Sequence, residues 1–143
     1  MHIKIVSIGK IKEKVYKKKI EKYLEWLSRD LKLEIVDVKV LKLDKIKSQI
    51  EKLKKNNFFC IFLSEHGQSI NSNAFSKLIF NTEKKIAFII GGPEGHPENL
   101  IKTKDLKLSL SKMTMPYELA TLVLTEQIYR ALSIQKGSKY HRN

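Results

Sequence analysis

The sequence predicts an α/β fold in a single domain over residues 1–143, with a largely parallel sheet flanked by helices. Its 143 residues are enough to bury a substantial core. A strand pattern followed by a helix pattern recurs about five times along the chain, which is typical of parallel α/β folds. Residues 58–63 and 86–90 are short, uninterrupted apolar runs, as expected of central strands covered on both faces.

The first half of the chain predicts two strands and two helices around this core. Residues 2–8 alternate apolar and polar side chains and predict a first strand that ends at Gly9. Residues 11–28 place apolar side chains at helical spacing, with lysines on the other face. Residues 33–40 predict a second strand. Asp44 is placed to cap the next helix, whose apolar positions are Ile46, Ile50 and Leu53.

The second half predicts one more strand beyond the two central ones, together with three helices. A polar loop is predicted at 64–72, followed by a short helix marked by Ala74, Phe75, Leu78 and Ile79. Pro97 stands where another short helix can start. Leu106, Leu108 and Leu110 alternate with other residues as a fifth strand, and a long final helix is predicted over 117–135.

The charge of the chain favours a polyanionic partner, most simply a nucleic acid. The sequence has 28 Lys and Arg against 15 Asp and Glu, a net charge of +13. Codon bias is the alternative, because nearly all the basic residues are lysines. The lysines of the second predicted helix are open to both interpretations, as a solvated face or an RNA backbone contact; they are Lys45, Lys47, Lys52, Lys54 and Lys55.

Cysteine, histidine and hydropathy patterns exclude several classes of site. The only cysteine, Cys60, lies in an apolar run and is interpreted as core filling, so no disulfide framework is available. Four scattered histidines make no credible metal site. No apolar run approaches the roughly 20 residues of a membrane helix. These features fit a cytoplasmic protein that uses neither a metal nor a membrane.

The segment FIIGGPEGHPENL at 88–100 concentrates three of the six glycines within five residues. It lacks both G-x-x-x-x-G-K-[ST] and G-x-G-x-x-G spacing, and Glu94 would repel a phosphate. Gly91 and Gly92 would admit close approach to the backbone. A plain turn remains one interpretation. The other is a site for a flat ring, a ribose hydroxyl or a cationic centre.

The segment lies where ligands commonly bind in parallel sheets, beyond the carboxyl ends of the strands. Three predicted loops begin at such ends, after Leu63, Ile90 and Leu110. We therefore expect these loops to meet at one edge of the sheet.

The last helix carries more apolar residues than one buried stripe requires. Burial against a partner subunit is the favoured explanation, and enclosure within one monomer is the alternative. On this helix, Arg130 is a candidate site residue or the ion-pair partner of Glu126 at i,i−4. Tyr23 and Trp26 on the first helix are interpreted as core packing, with an exposed aromatic platform as the alternative.

Close to its C-terminus the sequence carries Tyr140, His141 and Arg142, which offer a stacking ring, a group that titrates near neutrality and a cationic fork. A tail this short is otherwise expected to fray. From the residues alone, the tail is open to both interpretations.

Five segments together resemble a known enzyme family over essentially the whole chain. They are VSIGK near the start, IGGPEG after a strand, LSLSKMTMP, TEQIYRALSI and the terminal YHR. They resemble the RlmH family of bacterial 23S rRNA pseudouridine-N3 methyltransferases, in the SPOUT class of S-adenosylmethionine enzymes. The resemblance implies a homodimer and a C-terminal trefoil knot, which general rules of topology would not suggest. It also implies methylation of a pseudouridine in 23S rRNA, with the assembled ribosome as the expected substrate.

By the same resemblance, the cofactor S-adenosylmethionine is expected to contact residues at the three strand ends. They are Leu63, Gly91, Gly92, Leu110, Ser111, Lys112, Met113, Thr114 and Met115. The terminal residues are the expected catalytic group. His141 or a nearby group would assist removal of the N3 proton, Arg142 would hold a phosphate or a developing oxyanion, and Tyr140 would stack on or orient the base.

Two departures from the family pattern bear on these expectations. The tail reads Ser138-Lys139 before Tyr140 where relatives often have His-Pro, and the loop after the third strand reads Gly67-Gln68 where many have Gly-Lys. His66 in that loop is interpreted as solvent-exposed. A flavodoxin-like nucleotide-binding domain and a non-enzymatic RNA-binding or ribosome-assembly protein are the rival functions.

Overall fold

The computed structural model of the protein describes residues 1–38, 43–91 and 105–142. Within these ranges the chain alternates strands and helices as predicted. The elements are β1 (His2–Ser7), α1 (Lys14–Leu27), β2 (Lys32–Asp37), α2 (Leu43–Lys55), β3 (Phe58–Ser69), α3 (Ser72–Asn81), β4 (Lys85–Ile90), β5 (Leu106–Ser109) and α4 (Tyr117–Lys136).

The five strands form one sheet in the order β2-β1-β4-β3-β5, and every neighbouring pair is parallel. The predicted α/β class with a parallel sheet is therefore confirmed. β4 is central, and its residues 86–90 are buried, which explains the uninterrupted apolar run. The predicted trefoil knot depends on the course of residues 92–104. These lie outside the described residues, so the knot stays a prediction.

The strand side chains alternate between two apolar clusters on opposite faces of the sheet. One cluster packs β-strand residues such as Ile5 and Phe88 against α1, α3 and α4. The other packs residues such as Phe62 and Ile89 against α2. Cys60 lies in the second cluster, 3% exposed, which confirms its interpretation as a core residue. Burial raises the pKa of its thiol to about 11.

The helix ends follow from local chemistry. α3 begins after Asn71, whose side chain accepts a 2.8 Å hydrogen bond from the Ala74 amide. α4 ends at Gly137, whose positive φ of 71° is easily adopted without a side chain. The next amide, of Ser138, donates to the Ser133 carbonyl at 2.9 Å. This closing turn ends α4 and reverses the direction of the chain.

Three sequence predictions were wrong in detail. The predicted loop at 64–72 is strand as far as Ser69, because β3 continues along β5 after a register shift between Leu63 and Gln68. Asp44 lies inside the first turn of α2 instead of before the helix. Its negative charge there interacts favourably with the helix dipole. β2 ends at Asp37. Residues 39–40 of its predicted range, like Pro97, lie outside the described residues.

Candidate functional site

The carboxyl ends of β4 and β5 meet on either side of β3. Leu63 of β3 pairs with Ile90 of β4 and with Leu108 of β5. Gly91 directly follows Ile90 and is half-buried, and Leu110 follows the end of β5. The structure thus brings three segments of the predicted cofactor set to one edge of the sheet. Gly92 and Glu94 lie outside the described residues.

β3 continues as a strand beyond this edge, and its extension lies unusually close to the backbone of β5. A Cβ atom placed on Gly67 would approach the backbone N of Leu108 and the carbonyl carbon of Lys107 to 2.7 Å each. Real side chains do not tolerate such distances, so only glycine allows this approach. His66 beside it has an 80% exposed side chain near Glu65, which confirms the prediction that it is solvent-exposed.

The segment 110–116 leaves β5 and forms a short structured turn before α4. The Ser109 hydroxyl donates to the Ser111 carbonyl at 2.8 Å. The Met113 amide donates to the Ser111 hydroxyl at 3.0 Å. Met113 is 78% exposed, and its neighbours Lys112 and Thr114 are exposed while Met115 is half-buried. Hydrogen bonds between its own residues therefore stabilise the turn, and most of its side chains lie at the surface.

A fourth loop, which the sequence predictions did not include, closes the same edge. The Tyr117 hydroxyl donates to the Lys10 carbonyl at 2.8 Å. The Glu118 carboxylate accepts from the amides of Lys12 and of Glu13, the latter at 3.3 Å. Gly9, with a φ of 146°, faces the Tyr117 ring, which a Cβ atom there would approach to 3.0 Å. Burial raises the pKa of the Tyr117 phenol, with Glu118 adding to the shift. This loop could have been predicted, because the first strand was expected to pair in parallel and its carboxyl end then lies at the same edge.

The C-terminal tail folds back along α4 instead of fraying. Arg130 donates to Glu126 Oε1 from Nε at 2.9 Å, with its Nη2 at 2.7 Å from the same oxygen. The Tyr140 hydroxyl donates to that oxygen at 3.1 Å, and the Arg130 guanidinium lies 4.9 Å from the Tyr140 ring centroid. The ion pair with Glu126 raises the pKa of Arg130. Burial, with hydrogen bonds to Tyr23 and Glu126, raises the pKa of Tyr140 above its ordinary range.

His141 completes this cluster through Arg130. The guanidinium Nη1 lies 3.1 Å from His141 Nδ1. Because arginine can only donate, Nδ1 is the accepting nitrogen. A neutral His141 then carries its proton on Nε2. The ion pair of Arg130 with Glu126 is confirmed. Its role as a site residue stays a prediction, although it contacts one of the predicted catalytic residues. Arg142 follows as an exposed residue.

An aromatic cluster on α1 and α4 packs against the tail. Tyr129 of α4 lies with its ring centroid 4.8 Å from that of Tyr140 and 5.3 Å from that of Trp26. Tyr23 packs edge-on against Trp26 at 5.4 Å. Tyr23 is 7% exposed, which confirms core packing for this ring. Core packing was wrong for Trp26, whose ring lies at the surface, 44% exposed; Tyr140 is 37% exposed. The cluster therefore joins the core between α1 and α4 to the surface.

Among the described residues, the two predicted groups of site residues lie apart within one chain. The cofactor set ends at Met115, just before α4 begins at Tyr117. Arg130, which contacts His141, lies thirteen residues further along the helix. At 1.5 Å per residue, the two groups are separated by about 20 Å along the α4 axis.

A surface cavity of about 480 Å³ lies at the start of β2, and it contains none of the predicted site residues. It is lined by Met1, Leu24, Ser28, Arg29, Asp30, Leu31, Lys32 and Leu33. The residues described contain no group of three or more potential metal ligands. None of the helices in the described ranges is long and apolar enough to cross a membrane.

Comparison with known proteins shows one consistent similarity. Residues 1–141 match the family model described as "Predicted SPOUT methyltransferase". A Clostridium botulinum (strain Langeland) protein named ribosomal RNA large subunit methyltransferase H is 41% identical, and the alignment covers 99% of this chain and all of that protein. A Clostridium perfringens (strain SM101) protein, ribosomal RNA large subunit methyltransferase H 1, is 38% identical with the same coverage.

A solved structure has a similar fold. It is that of a probable methylase family protein from Haemophilus influenzae Rd KW20, with a TM-score of 0.59 and 14% identity, covering 99% of this chain and 70% of that one.

Proposed function

The chain belongs to the SPOUT methyltransferase family, and we propose that it methylates N3 of a pseudouridine in 23S rRNA. The methyl donor would be S-adenosylmethionine, and the substrate would be the assembled ribosome. The full-length similarity to relatives named as large-subunit rRNA methyltransferases carries this proposal. The net charge of +13 fits an RNA substrate.

The residues at the carboxyl edge of the sheet fit such a cofactor. Leu63 offers an apolar wall, the half-buried Gly91 has no side chain to cover its backbone, and the turn fixed by Ser111 presents groups suited to a polar ligand. The binding set would be Leu63, Gly91, Gly92, Leu110, Ser111, Lys112, Met113, Thr114 and Met115. When bound, S-adenosylmethionine supplies an electrophilic methyl group on a sulfonium sulfur.

The tail would act on the base and on its charge. N3 of pseudouridine would lose its proton to solvent before the new carbon–nitrogen bond forms, and the negative charge of that anion spreads onto the ring carbonyl oxygens. Because Arg130 donates to Nδ1 of His141, Nε2–H of a neutral imidazole is suited to donate to such an oxygen. We therefore propose charge stabilisation by His141, with the proton leaving to solvent, in place of the predicted base role. Arg142 would hold a phosphate or share this charge, and Tyr140 would stack on or orient the base.

A homodimer would bring the two groups of residues together. The separation of about 20 Å along α4 is too large for His141 to reach a base beside the cofactor edge of its own chain. α4 packs between α1 and α3, yet Leu119, Leu122 and Val123 remain only half-buried. We propose that this part of α4 meets a second copy and that each site combines the cofactor edge of one chain with the tail of the other.

Mixing two inactive variants tests this arrangement. Gly91→Val should block cofactor binding, and His141→Ala should remove the catalytic imidazole. After mixing and refolding, half of the dimers combine one chain of each kind, and each has one intact site, so about a quarter of wild-type activity should return. No recovery, although native mass spectrometry of differently tagged chains shows mixed dimers, would exclude a shared site.

Calorimetry with S-adenosylmethionine, followed by methylation of ribosomes from a strain lacking the modification, tests the activity itself. A flavodoxin-like protein would bind a phosphate-bearing cofactor instead, and a non-enzymatic RNA-binding protein would bind ribosomes without cofactor. His141→Ala should retain cofactor affinity and lose turnover, whereas His66→Ala serves as the matched control with normal turnover. Arg142→Ala should weaken ribosome binding at fixed salt.

A further inference from the structure

We propose that a stripe of three lysines on α1 binds backbone phosphates of the RNA substrate outside the catalytic centre. The lysine stripe consists of Lys14, Lys18 and Lys22. This inference rests on the proposed function, since it names a surface through which the same enzyme would hold its RNA.

The lysine stripe forms one continuous face of α1. Its members are four residues apart, so they lie above one another at intervals of about 6 Å along the helix axis. The buried positions of α1 are Ile20, Tyr23 and Leu27, which lie on the opposite side of the helix. All three stripe lysines are exposed. Among the described residues, no carboxylate lies within ion-pairing distance, 4.0 Å, of any of them.

Several charges of α1 destabilise the helix itself. Lysines at i and i+4 repel each other, and the stripe contains two such pairs. The first turn of α1 contains Lys14 and no acidic residue, and its last turn contains no basic residue. A lysine in the first turn is unfavourable with respect to the helix dipole, and the last turn lacks the basic residue that would be favourable. A bound polyanion would convert this repulsion into attraction.

α2 provides the contrast within the same molecule. Asp44 lies in its first turn, and Lys52, Lys54 and Lys55 lie in its last turn. This order suits the helix dipole, and Lys54 also pairs with Asp105 at 2.9 Å. The lysines of the last turn thus have a structural explanation that those of α1 lack. The solvated-face interpretation of these α2 lysines therefore gains support, and the RNA contact is assigned to α1.

The position of α1 also links the two groups of site residues. Its start is joined to α4 by Glu118 at the cofactor edge of the sheet. Near its end, Trp26 contacts Tyr129, which in turn contacts Tyr140 of the tail. The lysine stripe therefore runs beside the gap of about 20 Å between these groups. An RNA strand on this face would follow α1 from one group to the other.

Charge complementarity favours RNA over a second copy of the chain on this face. α1 contains five lysines and only two glutamates, so the same face of another copy would be repelled. The phosphate backbone supplies the opposite charge at regular intervals and releases counterions when lysines bind it.

The test compares two triple variants with the same change in charge. Lys14→Gln/Lys18→Gln/Lys22→Gln removes the stripe, and a control variant replaces three exposed lysines of α2, Lys45, Lys47 and Lys52, with glutamine. Binding of each protein to unmodified ribosomes is measured over a series of potassium chloride concentrations. The stripe variant should reduce the slope of log affinity against log salt by about 2 to 3, and the control should reproduce the wild-type slope.

Three further measurements separate RNA binding from other effects. The stripe variant should raise KM for ribosomes about tenfold while kcat and cofactor affinity stay unchanged. Its melting temperature should not fall, because the removed charges repel each other. Equal effects of the two variants, or conversion of the stripe variant to monomers, would overturn the lysine stripe. If the wild-type protein neither binds nor methylates ribosomes, the proposed function is wrong and this inference is wrong with it. If the wild-type protein is active and the stripe variant methylates ribosomes normally, only the RNA-binding role of the lysine stripe is refuted.

Discussion

Replacing Gly67 with alanine places a methyl group where the structure has no room for one. The new Cβ would lie 2.7 Å from the Leu108 nitrogen and from the Lys107 carbonyl carbon, and 2.8 Å from the Leu108 carbonyl carbon. These are backbone atoms of β5, so no side-chain rotation relieves the contact. The extension of β3 and strand β5 must move apart.

The cost follows from the size of this displacement. Favourable contacts between carbon atoms lie at about 3.5 to 4 Å, so the strands must separate by about 1 Å at this point. Overpacking of this kind costs about 1–3 kcal/mol, which would lower the melting temperature of a chain of this size by about 3 to 10 °C. Because β5 leads directly into Ser111 and its neighbours, we also expect weaker binding of S-adenosylmethionine.

Differential scanning calorimetry and calorimetric titration measure the two effects separately. Gln68→Ala is the matched control, because Gln68 is exposed on the same strand extension and its replacement adds no atom. An alanine at position 67 with a wild-type melting temperature would show that β3 and β5 do not approach this closely. Loss of stability with unchanged cofactor affinity would separate this contact from the candidate pocket.

Three further predictions follow from single contacts. Cys60 should react with iodoacetamide at pH 8 at least about a hundredfold more slowly in the native protein than in urea, because a pKa of about 11 leaves few thiolates; equal rates would contradict its burial. Glu118→Ala should lower the free energy of unfolding in urea by about 1 kcal/mol, since the Lys12 and Glu13 amides lose their acceptor. Tyr140 should contribute no phenolate absorbance near pH 10, because burial raises its pKa; a spectrum of Tyr140→Phe with one fewer titrating group there would refute this.

The sheet was predictable from the sequence because burial on both faces leaves a direct pattern. The apolar runs at 58–63 and 86–90 suggested strands covered on both faces, and both lie inside the sheet as β3 and β4. The extension of β3 to Ser69 was not predictable in this way. Its residues are polar, and their strand geometry comes from pairing with β5 across a register shift, which is a tertiary interaction that periodicity does not encode.

The grouping of the candidate site residues at the sheet edge was predictable, whereas the contacts that connect them to other elements were not. Parallel strands place their carboxyl ends together, so three of the segments could be grouped from strand order alone. The link from Tyr117 to Lys10 spans more than a hundred residues of sequence. It depends on α4 lying against the start of α1, and no local pattern reports such a contact.

The tail shows why composition alone gave two opposite interpretations. A short terminal segment usually frays because ordering each residue costs about 1–2 kcal/mol of backbone entropy. Here Gly137 reverses the chain, and a single carboxylate oxygen of Glu126 holds both Arg130 and Tyr140. Arg130 then passes this order on to His141. These contacts hold the tail on α4 of its own chain and not beside its own cofactor edge. The ordered tail therefore supports the proposal of a site shared between two chains, which the mixing of Gly91→Val and His141→Ala would test.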